Sequence, residues 1–164
     1  MPETSKNRTL DRTDRQILSV LQNDGRISNV ALARKVNLTA TPCLERVRRL
    51  EREGFITGYA ALLDPQKIGA GLLVFVEISL LRNSPDAFSE FRREAEKLTG
   101  ILECHLVSGN FDYLIKARVK DMHDYRKLLG EKILPLPGVS DSRSYVVMEE
   151  VKETTVIPLF PHQG

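Results

Sequence analysis

The sequence predicts an α+β chain in two parts: three short helices, then a strand-helix-strand-strand-helix-strand run. Three observations lead there. Apolar residues recur at helical spacing as far as Leu50. From Phe55 onward branched residues dominate the apolar runs, and Tyr113–Val119 alternates between two faces. The second part also repeats itself: strand, capped helix, glycine stop and strand occur twice in order.

The elements follow from local signals. Asp11 or Thr13 caps a first helix carrying Ile17, Leu18 and Leu21, which Asp24-Gly25 stops. Ser28 caps a short second helix whose inward residues are Val30 or Ala31, Leu32 and Val36. Asn37-Leu38-Thr39 makes a tight turn, and a third helix begins within Thr39–Pro42 and runs to Glu53, where Gly54 ends it. Phe55–Leu63 is β-prone and reads as a short wing or linker strand, with breakers at Asp64-Pro65 and Gly69-Ala70-Gly71. Leu72–Leu81 is the next strand, and Ser84-Pro85 caps a helix with Phe88, Phe91, Ala95 and Leu98 inward, closed by Gly100. Ile101–Val107 and Tyr113–Val119 are strands around a turn at Ser108–Asp112. Asp121 caps a helix with Met122, Tyr125, Leu129 and Ile133 inward; Pro135, Pro137 and Gly138 end it before a strand over Val139–Val151. The order is the ferredoxin-like βαββαβ arrangement. Helices on one face of such a sheet leave the other face uncovered, which predicts dimerisation through the sheet.

Composition narrows the function. The chain is 41% hydrophobic and 28% charged, enough to bury a core. No apolar run approaches the roughly 20 residues of a membrane span, and the polar N-terminus resembles no signal peptide, so a cytoplasmic protein is expected. Cys43 and Cys104 sit in apolar patterns and read as small buried hydrophobes. No phosphate loop, metal-spaced cluster or hydrolase elbow is present, and His105 stands mid-strand without a nucleophile in recognisable relation to it. No catalytic residue, metal or cofactor is therefore expected. Residues 1–58 hold 11 Lys and Arg against 7 Asp and Glu, whereas the remainder holds 13 against 15, which places a polyanionic partner at the N-terminal end.

Two helices joined by a tight turn, the second richer in basic residues, make a helix-turn-helix. In projection, Cys43, Leu44, Val47 and Leu50 form the inward side of the third helix. Thr41, Glu45, Arg49 and Arg52 lie opposite, flanked by Arg46 and Arg48. Arginine can bond guanine bidentately in the major groove, Thr can touch a base edge and Glu can accept from cytosine. With Ser28, Thr39 and Pro42 at the helix entries, these are the candidate DNA-binding residues. A solvated charged face, with Glu45–Arg49 as an ordinary i,i+4 pair, is the plainer alternative.

The runs Leu10–Leu18, Asn23–Ser28, Thr41–Glu51, Glu103–Gly109, Phe111–Leu114 and Tyr145–Val151 resemble the Lrp/AsnC family, in order, over residues 10–152. The resemblance implies a winged helix-turn-helix and a RAM/ACT-like domain that pairs chains into dimers and commonly octamers. It implies an amino-acid effector, leucine or a similar one, bound between dimers near the turn joining the second and third strands. Carried over by motif, the candidate effector residues are Ser108, Gly109, Asn110, Phe111, Asp112 and Tyr113, with Met122, Tyr145, Val146 and Val147 as neighbours. Backbone N–H groups at the turn suit an α-carboxylate, and Asp112 suits an α-ammonium. Asn110 stands where family members often carry Asp, which leaves effector identity open. The same residues also read as an ordinary hairpin turn capped by Asp112.

The expected organisation is a disordered tail over 1–9, a winged helix-turn-helix with linker strand over 10–63, and a linker over 64–71. An effector and oligomerisation domain over 72–152 and a C-terminal tail over 153–164 complete it. The expected partners are double-stranded DNA, an amino acid and further copies of the chain, with no membrane. A module whose helices serve only protein contacts, or an amino-acid-metabolising enzyme, are the competing classes.

Overall fold

The computed structural model describes residues 10–81 and 86–159. The expectations for residues 1–9, the Ser84-Pro85 cap and the end of the chain past residue 159 lie outside them. The chain divides into two units at Leu62/Leu63 and again at Val151/Lys152. The described residues of Leu63–Val151 form one unit; those on either side form the other, so residues 152–159 join the N-terminal unit and not the second domain.

The N-terminal unit holds α1 (Arg12–Asn23), α2 (Asn29–Lys35) and α3 (Ala40–Arg52). Helix α1 starts in a reciprocal cap: Asp11 Oδ1 accepts the Asp14 N–H at 2.7 Å and Asp14 Oδ2 accepts the Asp11 N–H at 3.2 Å. Ser28 Oγ caps α2 by accepting the Ala31 N–H at 3.2 Å. Helices α2 and α3 end in the same way. After α2, Asn37 takes φ +55°, Leu38 N–H donates to Ala33 O at 2.9 Å and Asn37 N–H to Arg34 O at 3.3 Å. After α3, Gly54 takes φ +78°, Phe55 N–H donates to Leu50 O at 2.9 Å and Gly54 N–H to Glu51 O at 3.0 Å. Both are Schellman closures, which require a left-handed residue just past the helix. Ile17, Leu18, Leu32, Ala33, Val36, Cys43 and Leu50 form the core; Val30 is 54% exposed, so α2 faces inward through the other residues.

Phe55–Leu63 forms no strand, contrary to its β-propensity. A strand needs a pairing edge, and this segment has none among the described residues of its own chain. It is tied instead at its start, where the Phe55 and Ile56 N–H groups donate to Leu50 O, and at Tyr59, whose hydroxyl donates to Glu51 Oε1 at 2.9 Å. Partial burial, reinforced by the Glu51 carboxylate, pushes the Tyr59 hydroxyl up to about 12.

The second unit is a four-stranded antiparallel sheet in the order β2-β3-β1-β4, formed by β1 (Leu72–Leu80), β2 (Glu103–Leu106), β3 (Tyr113–Val119) and β4 (Val139–Val146). Helices α4 (Ala87–Ala95) and α5 (Met122–Leu128) supply the remaining apolar faces. Strands β2 and β4 are shorter than their apolar runs. For β4 the reason is register: Val146 pairs with Val74, and the Val147 N–H reaches Leu73 O, leaving almost no β1 beyond. Helix α5 continues as a π-helical turn over Leu129–Ile133. That turn takes up the five-residue step from Leu128 to Ile133 and leaves Leu129 only half-buried, so the buried stripe is Tyr125, Leu128 and Ile133; Met122, in the first turn of α5, is 48% exposed. Phe91 is fully buried at the centre, its ring 4.4 Å from that of Tyr113. We expect Phe91→Ala to lower the unfolding free energy by about 3–5 kcal/mol, read as a shift in the urea midpoint.

Candidate nucleic-acid interface and ligand site

Helix α3 is held against α1 by charge. Asp14, at 1% exposure, lies at the N-terminal end of α1, and its carboxylate receives Arg46 Nη1 at 2.8 Å and Arg49 Nη2 at 2.6 Å. Arg46 also reaches Asp11 Oδ2 at 2.6 Å. A buried carboxylate is tolerated only when paired and hydrogen-bonded, and Asp14 has two guanidiniums and a helix N–H. This corrects the helical projection. Arg46 and Arg49 do not share the outward face; they lie between it and the apolar stripe, turned toward α1. Leu44 is partly exposed, so the inward side narrows to Cys43, Leu50 and half-buried Val47. What α3 presents to solvent is Thr41, Glu45, Arg48 and Arg52, with Thr39 at its N-cap and Pro42 partly covered. Ser28 is exposed but already committed to capping α2.

Sequence reasoning missed two residues here. Asn29 Nδ2 donates to Ala40 O at 2.8 Å, fixing the start of α2 to the start of α3. The second is Asp14 itself, to which no role is assigned from the sequence. A carboxylate at the third helical position, with two arginines three apart in the partner helix, was the available signal.

The predicted ligand residues separate. Ser108, Gly109 and Asn110 are exposed in the turn between β2 and β3, where Gly109 takes φ +151°. Asp112 is not presented to solvent: at 7% exposure its Oδ2 accepts the Leu80 N–H at 2.8 Å. Its backbone joins the turn to the sheet, with Asp112 N–H donating to Ile78 O and Val107 N–H to Asp112 O. Asp112 therefore braces the turn, with Oδ2 committed to a backbone N–H. Tyr113 is a core residue at 3% exposure, stacked on Phe91. Phe111 is half-buried.

Tyr145, Val146 and Val147 lie elsewhere. Tyr113 pairs across β1 with Ile78, but Val146 pairs with Val74, four residues away, or roughly 13 Å along a strand. Met122 follows β3, whose last residue, Val119, pairs with Leu72 at that same far end. One chain brings Ser108–Tyr113 to one end of the sheet and the other candidates to the opposite end. A groove of about 450 Å³ beside β2 is lined by Arg92, Glu96, Leu98, Ile101, Leu106 and the candidate residue Tyr113, without Ser108, Gly109 or Asn110.

The sheet face turned away from the core carries Phe75, Leu114 and Tyr145 among charges: Glu103 pairs with Lys116 at 2.9 Å and meets His105 at 3.0 Å. Bonds from His105 and Lys116 hold the Glu103 carboxyl below its ordinary value. Both cysteines are free thiols, and burial pushes each one up, away from the reactive thiolate. Among the described residues no His, Cys, Asp and Glu cluster could hold a metal ion, and no helix is long and apolar enough to cross a membrane.

A helix-turn-helix with an outward basic second helix, joined to a separate ferredoxin-like unit, defines a DNA-binding transcriptional regulator with its own ligand-binding domain. Residues 10–57 match the winged helix-turn-helix DNA-binding model, and residues 73–157 match the Lrp/AsnC ligand binding domain. The chain is 66% identical over 145 residues to the leucine-responsive regulatory protein of Escherichia coli, covering 88% of each. It superposes with a TM-score of 0.87 on a Neisseria meningitidis transcriptional regulator solved with L-Met, at 39% identity over 92% of this chain and 97% of that one. An AsnC family regulator from Agrobacterium tumefaciens gives 0.86 at 34% identity, over 90% and 96%. The chain belongs to the Lrp/AsnC family, whose members are regulators and not enzymes.

Two outcomes follow from the Asp14 cluster. Asp14→Ala should lower the urea midpoint, a loss of about 1–3 kcal/mol, because two partly exposed guanidiniums lose their shared partner and Arg46 keeps Asp11. Partial burial raises the Asp11 carboxyl, but the Asp14 N–H and Arg46 outweigh it, so the group titrates below its ordinary value. Its stabilisation is present above about pH 4 and is lost as pH falls through the lower folded value. Asp11→Asn should flatten that acid-side loss in stability measured from pH 5 downward.

Proposed function

We propose that the chain is an amino-acid-responsive regulator whose effector is leucine or a similar aliphatic amino acid, acting in the cytoplasm as a dimer-based oligomer. The observation that carries the reading is the pairing of an outward α3 face with a ligand-binding unit of the family. The identity to the leucine-responsive regulatory protein favours leucine; the Neisseria regulator was solved with L-Met, another amino acid with an apolar side chain.

On this reading α3 enters the major groove. Thr41, Glu45, Arg48 and Arg52 address base edges and phosphates, and Ser28, Thr39 and Pro42 lie at the helix entries. Arg46 and Arg49 act by holding α3 in place through Asp14, with any phosphate contact secondary. The effector sits at the turn, with the N–H groups of Ser108, Gly109 and Asn110 toward its carboxylate and Phe111 toward its side chain. Asp112 and Tyr113 hold the turn from behind. Because Met122, Tyr145, Val146 and Val147 lie at the other end of the sheet, they complete a site only when contributed by another copy. An effector bound between copies biases assembly, and assembly sets the spacing of DNA half-sites. The open sheet face with Phe75, Leu114 and Tyr145 is the surface for the dimer, and the octamer is the proposed higher form.

Fluorescence anisotropy on DNA from upstream of the protein's own gene, with and without leucine, tests this. Binding that weakens steeply with salt and changes with leucine is expected. DNA binding unaffected by any amino acid would sink the effector half, and no binding after random-sequence selection would sink the DNA half. Arg48→Ala should weaken specific binding by about 1–3 kcal/mol while leaving the urea midpoint in place. Arg49→Ala should move the midpoint.

A further inference from the structure

We propose that residues 152–159 are a latch that ties the chain leaving β4 to helix α1, with Gln22 as its catch, and that this latch carries the effector response to the DNA-binding unit. The inference rests on the regulator reading above.

After β4 the chain does not end on the sheet. Val151 is 87% exposed, and from Lys152 the chain belongs to the N-terminal unit. It runs there without helix or strand, yet it is not loose. Gln22 Oε1 accepts the Ile157 N–H at 2.7 Å, and Gln22 Nε2 donates to Ile157 O at 3.1 Å. Two residues on, Leu159 packs against the core formed by Ile17, Leu18 and their neighbours. A primary amide offers one donor and one acceptor side by side, so a single Gln satisfies both polar groups of a peptide unit, as a neighbouring strand would. The Ile157 side chain is 69% exposed, so the grip is on backbone. Pro158 restricts Ile157 to extended conformations, and the Val156 N–H bonds Thr154 Oγ1 at 3.1 Å, so little chain entropy is lost on docking.

The connectivity gives the latch its meaning. The chain passes between the units twice, at Leu62/Leu63 and at Val151/Lys152. The first passage is a strandless segment. The second leads from Val146 and Val147, two of the proposed effector neighbours, to α1, and α1 holds α3 through Asp14. On this proposal a shift of the end of β4 reaches α1 along the chain, by loading the Gln22 catch or by opening it. Nothing in the core of α1 requires Gln at an accessible position; a latch does.

The experiment uses the full chain and two variants, Gln22→Leu and Leu159→Ser, which disable the catch and the anchor separately. DNA affinity is measured by anisotropy with and without leucine, and leucine affinity and oligomer size are measured in parallel. The expected result is that both variants bind leucine and assemble as the parent does, while the leucine-induced change in DNA affinity, on the order of 5–150-fold for coupled sites, falls to about one. An unchanged ratio in both variants overturns the proposal, because simple loss of packing would lower stability without abolishing coupling. Amide exchange at Ile157 separates this from failure of the effector reading. If the parent answers to no amino acid, the signalling role falls with that reading. Slow exchange in the parent and fast exchange in Gln22→Leu then still establish the docked latch, whereas fast exchange in the parent overturns it.

Discussion

The Asp14 carboxylate is buried where α1 meets α3, and the arrangement of the N-terminal unit follows from the need to satisfy it. Left unpaired, a buried carboxylate would cost several kcal/mol, so α3 can take only the rotation that brings Arg46 and Arg49 within reach. Once that rotation is set, the apolar stripe of Cys43 and Leu50 falls onto the core and Arg48 and Arg52 fall outward. Hydrophobic burial alone would tolerate some roll of α3 about its axis. A bifurcated ion pair with oxygen-to-nitrogen distances under 3 Å tolerates far less, so the charge cluster selects which side chains the groove of DNA would meet.

A second buried carboxylate has the corresponding task in the ligand-binding unit. Among the described residues, Asp14 and Asp112 are the buried polar side chains, and each anchors an element that carries candidate site residues. Asp112 bonds the Leu80 N–H near a register shift between β1 and β4, where the regular ladder changes step. The turn it braces keeps Ser108, Gly109 and Asn110 exposed without letting them collapse onto the sheet. The braced turn lies at one end of the sheet and exposed Tyr145 and Val146 at the other. On the function proposed above, each chain would then supply half of two sites, and assembly would complete the ligand site.

Much of this was legible because it is local. Asp11, Ser28 and Asp121 announce helix starts through side-chain-to-backbone bonds spanning three residues, and Asn37 and Gly54 announce helix ends through one left-handed residue each. The βαββαβ order followed from alternation and stop signals in the same way. Leu128, not Leu129, carries the buried stripe because helical spacing does not hold through a segment where a π turn changes the step. Phe55–Leu63 was read as a strand because propensity describes the willingness of a segment to pair but not whether an edge is available to it.

The amino-acid sequence by itself determined the elements, their order, the basic helix and the family, since each of these rests on contacts within a few residues or on motifs in line. Only the tertiary structure decided which arginines face outward, that Asp112 turns inward, that the ligand candidates divide between two ends of a sheet, and that residues 152–159 return to α1. Each of those depends on a partner far away in the chain, such as Gln22 for Ile157 or Asp14 for Arg49. A side chain able to donate or accept a bond carries no mark in the sequence of which distant atom will complete it.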